Sequence, residues 1–178
     1  MEYRTQPIDT LSGFDMKALR SALGTYATGV AVVTARSADG EAIGLTVNSF
    51  ASVSLDPPLV LWSLAISSPN LAAFKSASHY AVNVLGQDQA DIAQRFASRL
   101  VDKFDGIACC DGLGAVPLLP NCCAWFECRN EAQFPGGDHV ILLGHVERFA
   151  LDARRSPLLF HRGRYASLTT VDDPGMAG

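Results

Sequence analysis

Three groups of polar side chains stand out in an otherwise apolar sequence. The first is Gly44-Leu45-Thr46-Val47-Asn48-Ser49-Phe50-Ala51-Ser52-Val53-Ser54, which puts five hydroxyl or amide side chains into a stretch with strand character. Such small groups let a strand edge approach a flat polar ring, whose heteroatoms the backbone N–H and C=O then reach. The second is Ser67-Ser68-Pro69-Asn70. It has the form of a helix start, where free N–H groups and the positive dipole end attract phosphate. Ser67 and Ser68 add hydroxyl donors, and Lys103 in Asp102-Lys103-Phe104 is a candidate cation for the same anion. The third is Gly136-Gly137-Asp138-His139, a histidine at the mouth of a strand, accessible to a planar ligand. Each group also has an ordinary structural explanation: a half-exposed strand, a plain N-cap, a solvated lysine or a turn-flanking histidine. Residue types alone leave both readings open.

Other chemistries find less support. The five cysteines are Cys109, Cys110, Cys122, Cys123 and Cys128, an odd number with no CxxC, so zinc and thioredoxin spacings are missing. Free thiols in a reducing cytoplasm are expected, with Cys122, Cys123 and Cys128 as small core residues in a strand-like run. His79, His145 and His161 have no metal-like spacing, and no metal site is expected. Gly112-Leu113-Gly114 is the nearest approach to a dinucleotide fingerprint, but Pro117 takes the third glycine position and no strand leads into it. P-loop, HExxH and GxSxG motifs do not occur.

The bulk properties fit one folded domain in 178 residues, with 48% hydrophobic and 18% charged residues. A net charge of −4 without a basic stripe argues against nucleic acid. No apolar run approaches the roughly 20 residues of a membrane helix, and the N-terminus lacks the form of a signal peptide.

The elements that must position the polar groups follow from periodicity. Residues 1–11 read as a loose arm. Ser12 and Asp15 form a capping-box-like start for an amphipathic helix carrying Leu19, Ala22, Leu23 and Tyr26, which Gly29 can end. Val30–Ala35 and Ala42–Val53 form a hairpin around Ala38-Asp39-Gly40, and the nearly all-apolar Leu59–Ala65 predicts a central strand. Ser68-Pro69 opens a helix over Asn70–Ala77, His79–Leu85 is a strand, and Asp88 caps a helix carrying Ile92, Ala93 and Phe96. Residues 105–121 read as a long loop. Cys122–Ala132 alternates, with Glu127, Arg129 and Glu131 on the face away from Ala124, Phe126 and Cys128. Gly136-Gly137 turns it into an antiparallel partner, His139–Phe149. Leu158–Leu168 is a last strand broken by Gly163, and 169–178 a flexible tail. Many short strands without βαβ alternation predict a mainly β fold, an antiparallel barrel with flanking helices.

In order and spacing, these pieces resemble the short-chain flavin reductase family, the reductase partners of two-component flavin monooxygenases. The matching segments are Thr28-Gly29-Val30-Ala31-Val32-Val33-Thr34, Gly44–Phe50 and Ser52–Leu59, followed by Phe96-Ala97, Asp102-Lys103-Phe104, Gly137-Asp138-His139 and Pro157-Leu158-Leu159-Phe160. The likeness runs from about Leu19 to Leu168. It implies a Greek-key, FMN-binding split β-barrel over residues 12–168, usually a cytoplasmic homodimer, holding FMN or FAD at its rim. By resemblance, Thr46, Val47, Asn48, Ser49, Ala51, Ser52 and Val53 lie along the flavin ring, and Ser67, Ser68, Asn70, Lys103 and Phe104 on its phosphate side. Gly137, Asp138 and His139, with Tyr165 nearby, meet the nicotinamide of NADH or NADPH. Arg162 and Arg164 are the candidates for a 2′-phosphate, and no denser basic cluster exists, which favours NADH. No residue is expected to act as acid, base or nucleophile. The reaction implied is NAD(P)H-dependent flavin reduction, supplying a partner monooxygenase. A flavoprotein that keeps its flavin and reduces a ferric chelate or quinone, and a non-catalytic flavin-binding module, are the alternatives.

Overall fold

A computed structural model describes residues 15–100 and 102–169. The expected arm, Ser12, and all of the expected tail except Thr169 lie outside the described residues.

Helix α1, Met16–Leu23, is capped by Asp15, whose carboxylate accepts from the Lys17 and Ala18 N–H groups. It ends at Gly24, five residues before Gly29, and buries none of its side chains. Strands β1 (Thr28–Gly29), β2 (Ala31–Arg36), β3 (Ala42–Val47), β4 (Ala51–Leu55) and β5 (Pro58–Ala65) follow. Next come α2 (Leu71–Ser76), β6 (His79–Val84), α3 (Ala90–Ala97), β7 (Cys110–Asp111), β8 (Pro117–Leu118), β9 (Ala124–Gly136), β10 (His139–Leu151), β11 (Leu159–His161) and β12 (Arg164–Ala166).

The main sheet is antiparallel, in the order β3-β2-β6-β9-β10-β5-β4. The run read as one strand, Ala42–Val53, is therefore two strands on opposite edges of the sheet. The chain bends at Asn48-Ser49-Phe50 as it passes from one edge to the other. At the bend the Ser49 hydroxyl accepts from Ser63 N–H (3.0 Å) and donates to Ser63 C=O (3.3 Å). It thus extends the β4–β5 ladder by one pair after the backbone has peeled away. Two edges joined by a short bend, with no ladder between them, make this a split barrel rather than a closed one.

Both β2 and β5 are interior strands, each next to an edge strand, and they differ in burial rather than in place. Ala31–Ala35 is buried throughout, because Val33 faces a core around Trp62, Phe74 and Tyr80 while Val32 faces a second core with Phe96, Leu85 and Leu119. In contrast, the burial of β5 alternates along the strand. Its apolar composition is the same, but its outward residues are only partly covered. In the first core Trp62 meets Phe74 and Tyr80 edge-on, with centroids 5.1 and 5.7 Å away.

Other expectations need correction. α2 starts at Leu71 after Asn70, and no side chain caps it. Gln89, not Asp88, precedes α3, and the Asp88 carboxylate instead pairs with Arg155. The 105–121 segment is not structureless, since β7 and β8 pair around a tight turn at Leu113–Ala115. Leu158–Leu168 is a hairpin, β11 and β12, that joins β1 in a second sheet. Glu127 is buried although its neighbours Arg129 and Glu131 point outward as an ion pair. Its carboxylate accepts from Arg148 and from Leu113 N–H, which compensates its burial. Among the described residues no helix is long and apolar enough to cross a membrane.

Candidate functional site

A groove of about 1060 Å³ opens where β3, the start of α2 and the end of α3 meet. Thr46, Ser67, Ser68, Asn70, Lys103 and Phe104 all lie in its wall, so the strand group and the helix-start group of the sequence converge there. Gly44 makes the convergence possible. A Cβ at this position would come within 2.7–2.9 Å of the Phe96 ring, so only glycine lets α3 pack this closely on β3. The Thr46 hydroxyl adds a tie by donating to the Ala93 carbonyl at 2.6 Å. Phe104 stacks edge-on against Phe96, 5.0 Å between centroids, and floors the groove.

Lys103 is the cation of the groove. Its ammonium donates to the Phe96 carbonyl (2.8 Å) and the Gly44 carbonyl (3.4 Å). Burial holds its pKa below the usual lysine range. No carboxylate pairs with it among the described residues, and an ammonium carries three donors, so one remains for an anion. The Ser68 hydroxyl accepts from Asn70 N–H (3.3 Å) and keeps its own proton to donate. This donor set fits a phosphate, and the Phe104 ring in the same wall offers an apolar surface beside it.

The other expected flavin residues divide. Val47 is buried in the core, so only its backbone faces outward. Asn48 is exposed, but in the wall of a second cavity. The Ser49 hydroxyl is spent on Ser63. Ala51, Ser52 and Val53 are exposed along β4, the open edge of the sheet.

Gly137 holds φ +70 in the tight β9–β10 turn, a conformation that favours glycine. The Asp138 carbonyl accepts from Ile66 N–H at 2.9 Å, and His139 stands opposite Ala65 on β5. The histidine thus sits next to the Ser67-Ser68 bank rather than in the groove wall itself. Its Nδ1 is 2.7 Å from the Asp138 carboxylate, and this hydrogen bond and charge hold the Asp138 pKa down. Tyr165 lies farther round, half-buried on β12 with its ring against Phe160, and burial raises its phenol pKa. Gly44 opens the first polar group and Phe96 lies in a matching family segment, but neither is expected to shape the site. The signal for Gly44 was present, a glycine inside a strand.

The chain belongs to the flavin reductase like family, whose domain model matches residues 23–169. It is similar to the FMN reductase (NADH) SmoA of Agrobacterium fabrum, 46% identical over 155 residues, covering 86% of each chain. The reductase component of the flavin-dependent trigonelline monooxygenase of Acinetobacter baylyi is 42% identical, over 84% of this chain and 48% of that one. The chain thus spans about half of that relative, and 50% of a related Rhizobium meliloti protein. Among solved structures, the NADH:FAD oxidoreductase SgcE6 of Streptomyces globisporus C-1027, in complex with NAD and FAD fragments, superposes with a TM-score of 0.84. The two are 36% identical, over 89% of this chain and 96% of that one.

Proposed function

We propose that this chain is a flavin reductase that uses NADH, or NADPH, to reduce FMN or FAD and supplies the reduced flavin to a partner flavin-dependent monooxygenase. The observation that carries this reading is the groove in which Thr46, Ser67, Ser68, Asn70, Lys103 and Phe104 converge. Bound side by side, the reduced nicotinamide would supply a hydride and the flavin would accept it, with the balancing proton taken from solvent.

The residues of the chain bind and orient. Lys103 and the Ser67-Ser68 bank hold the flavin phosphate, and backbone groups of Thr46–Val53 lie along the ring and stabilise charge developing there. The Asp138 carboxylate takes up Nδ1 of His139 and fixes the imidazole, which leaves Nε2 as an acceptor for the nicotinamide carboxamide. Tyr165 is assigned to the same pocket by the family resemblance. No side chain in this scheme is an acid, base or nucleophile. The chain works as a cytoplasmic homodimer, and relatives named as reductase components support the monooxygenase partner.

The test is to mix the protein with NADH or NADPH and add FMN, FAD or riboflavin separately, following absorbance of the reduced nicotinamide. Consumption that saturates with free flavin is expected, and no consumption with any pair refutes the reading. His139→Ala should raise the KM for NADH roughly tenfold, as loss of one hydrogen bond implies, with much less effect on the KM for flavin. An equal rise in both would remove His139 from the nicotinamide site.

A further inference from the structure

A second cavity, of about 900 Å³, lies between the C-terminal half of α1 and the β1-β11-β12 sheet. It is separate from the phosphate end of the groove, yet Asn48 in its wall is two residues along the chain from Thr46 in the wall of the groove. Three features give it the character of a nucleotide site.

It is cationic. Arg20 on α1 and Arg162 in the β11–β12 turn both line it, and among the described residues no ion pair engages either guanidinium. The end of α1 would ordinarily present carbonyl oxygens here, but several are already used. Arg20 C=O accepts from Gly24 N–H, Ala22 C=O from Thr25, Leu23 C=O from Tyr26 N–H and Gly24 C=O from Arg162 N–H. The last of these bonds also fixes the Arg162 turn against the helix. Arg162 holds φ +48, in the left-handed region that non-glycine residues seldom adopt.

The cavity also offers rings and an open polar group. Tyr26 is 78% exposed, leaving a face for a planar base, and Phe160 forms part of the floor. Thr28 lines the cavity as well, and its buried hydroxyl oxygen has no hydrogen-bond partner. Buried hydroxyls are normally satisfied, so an unpartnered one in a cationic cavity points to a polar ligand.

We infer that this cavity takes an adenosine diphosphate moiety, with Arg20 and Arg162 on the phosphates, Tyr26 against the base and Thr28 on a sugar or phosphate oxygen. The source is the nicotinamide dinucleotide, because the flavin phosphate belongs to Lys103 and the Ser67-Ser68 bank; that assignment of source rests on the proposed function, whereas the site itself does not.

ADP alone, titrated calorimetrically into the full chain, is the direct probe. Arg20→Ala and Arg162→Asn should each weaken its binding roughly tenfold or more, the effect of removing one charge-assisted contact. Asparagine is chosen at 162 because it tolerates the left-handed backbone. Arg154→Ala, which removes an exposed arginine paired with Asp152, should leave ADP binding unchanged. Kinetics and affinities then identify the source. If the dinucleotide supplies the moiety, both variants lower the kcat/KM ratio of NADH to reduced nicotinamide mononucleotide. A fall in the affinity ratio of FAD to FMN instead would put the flavin's own pyrophosphate here and overturn both the dinucleotide as source and Lys103 as the flavin-phosphate contact. No binding of ADP to the unmodified chain, or binding that neither arginine variant weakens, overturns the inference. Arginine-dependent ADP binding in a chain that reduces no flavin would refute the proposed reaction and leave this site standing.

Discussion

Two polar networks of similar composition serve opposite purposes. One lies around Asn83 on β6, fully buried together with Thr34. The Asn83 amide donates to Val32 C=O (2.9 Å) and the Thr34 hydroxyl (3.0 Å), its carbonyl accepts from Leu119 N–H (2.9 Å), and Thr34 donates to Pro117 C=O (2.5 Å). These bonds tie the 117–119 segment onto the sheet with no donor left over. The other lines the groove, where Lys103 and Ser68 each keep a donor after their internal bonds are made. Asparagine, threonine, serine and lysine are polar in both settings. What differs is saturation, and unspent donors mark the place where a ligand belongs.

Breaking the saturated network should have the largest effect on stability and the smallest on binding. Asn83→Ala leaves the Thr34 hydroxyl and Leu119 N–H without this partner in a dry interior. A loss of about 3–5 kcal/mol is expected, which for a chain of this size lowers Tm by roughly 6–20 °C. FMN affinity measured well below the transition should stay within about twofold. A large loss of affinity at unchanged Tm would reverse the assignment of the two networks.

Breaking the open network should do the converse. Lys103→Ala is expected to weaken FMN binding roughly ten- to a hundredfold and riboflavin binding little, since riboflavin has no phosphate. The two Kd values can be compared by fluorescence titration. Burial has already lowered the Lys103 pKa, so its charge is lost at a lower pH than for an ordinary lysine. FMN affinity should therefore fall as pH rises through that lowered value, and Lys103→Met should abolish the dependence. A pH profile identical in wild type and variant would exclude Lys103 as the phosphate contact.

The same difference explains what was legible in the sequence. Periodicity located most strands, because alternation in the long pair β9 and β10 and the apolar run of β2 are local properties. It did not show that Leu59–Ala65 and Val30–Ala35, equally apolar and each one strand in from an edge, are covered to different extents. That depends on what covers each outer face, and α3 and Leu119 pack over Val32 of β2 while the outer residues of β5 stay half-exposed. The bend at Asn48–Phe50 was hidden for a related reason. The hydrogen bond that permits it comes from Ser63, fourteen residues away. Which of the polar residues line the groove was not legible, because residue types do not reveal which hydroxyls are already spent. Ser49 and Ser68 look alike in sequence, yet both hydrogen-bonding functions of Ser49 are used at the bend.

Glu127 gives the finest test of saturation, because its network titrates. Burial pushes the carboxyl pKa up, but the hydrogen bonds from Arg148 and Leu113 N–H, with the guanidinium charge, outweigh it and hold it below the usual range. The unfolded chain therefore takes up the proton first. The stability this gives is complete above the ordinary value of 4.5 and is lost as pH falls toward the folded value. Glu127→Gln keeps the shape and an acceptor for Leu113 N–H but removes the titration. Arg148 is 52% exposed, and solvent screening limits the difference to about 1 kcal/mol at neutral pH. Urea unfolding of both proteins at neutral pH and at pH values down to about 3 should show the wild type losing its advantage as the curves converge. Parallel curves would mean that the carboxylate is already solvated in the native state. The Gly112–Leu119 segment would then be held by Asn83, Thr34 and Arg36 without help from Glu127.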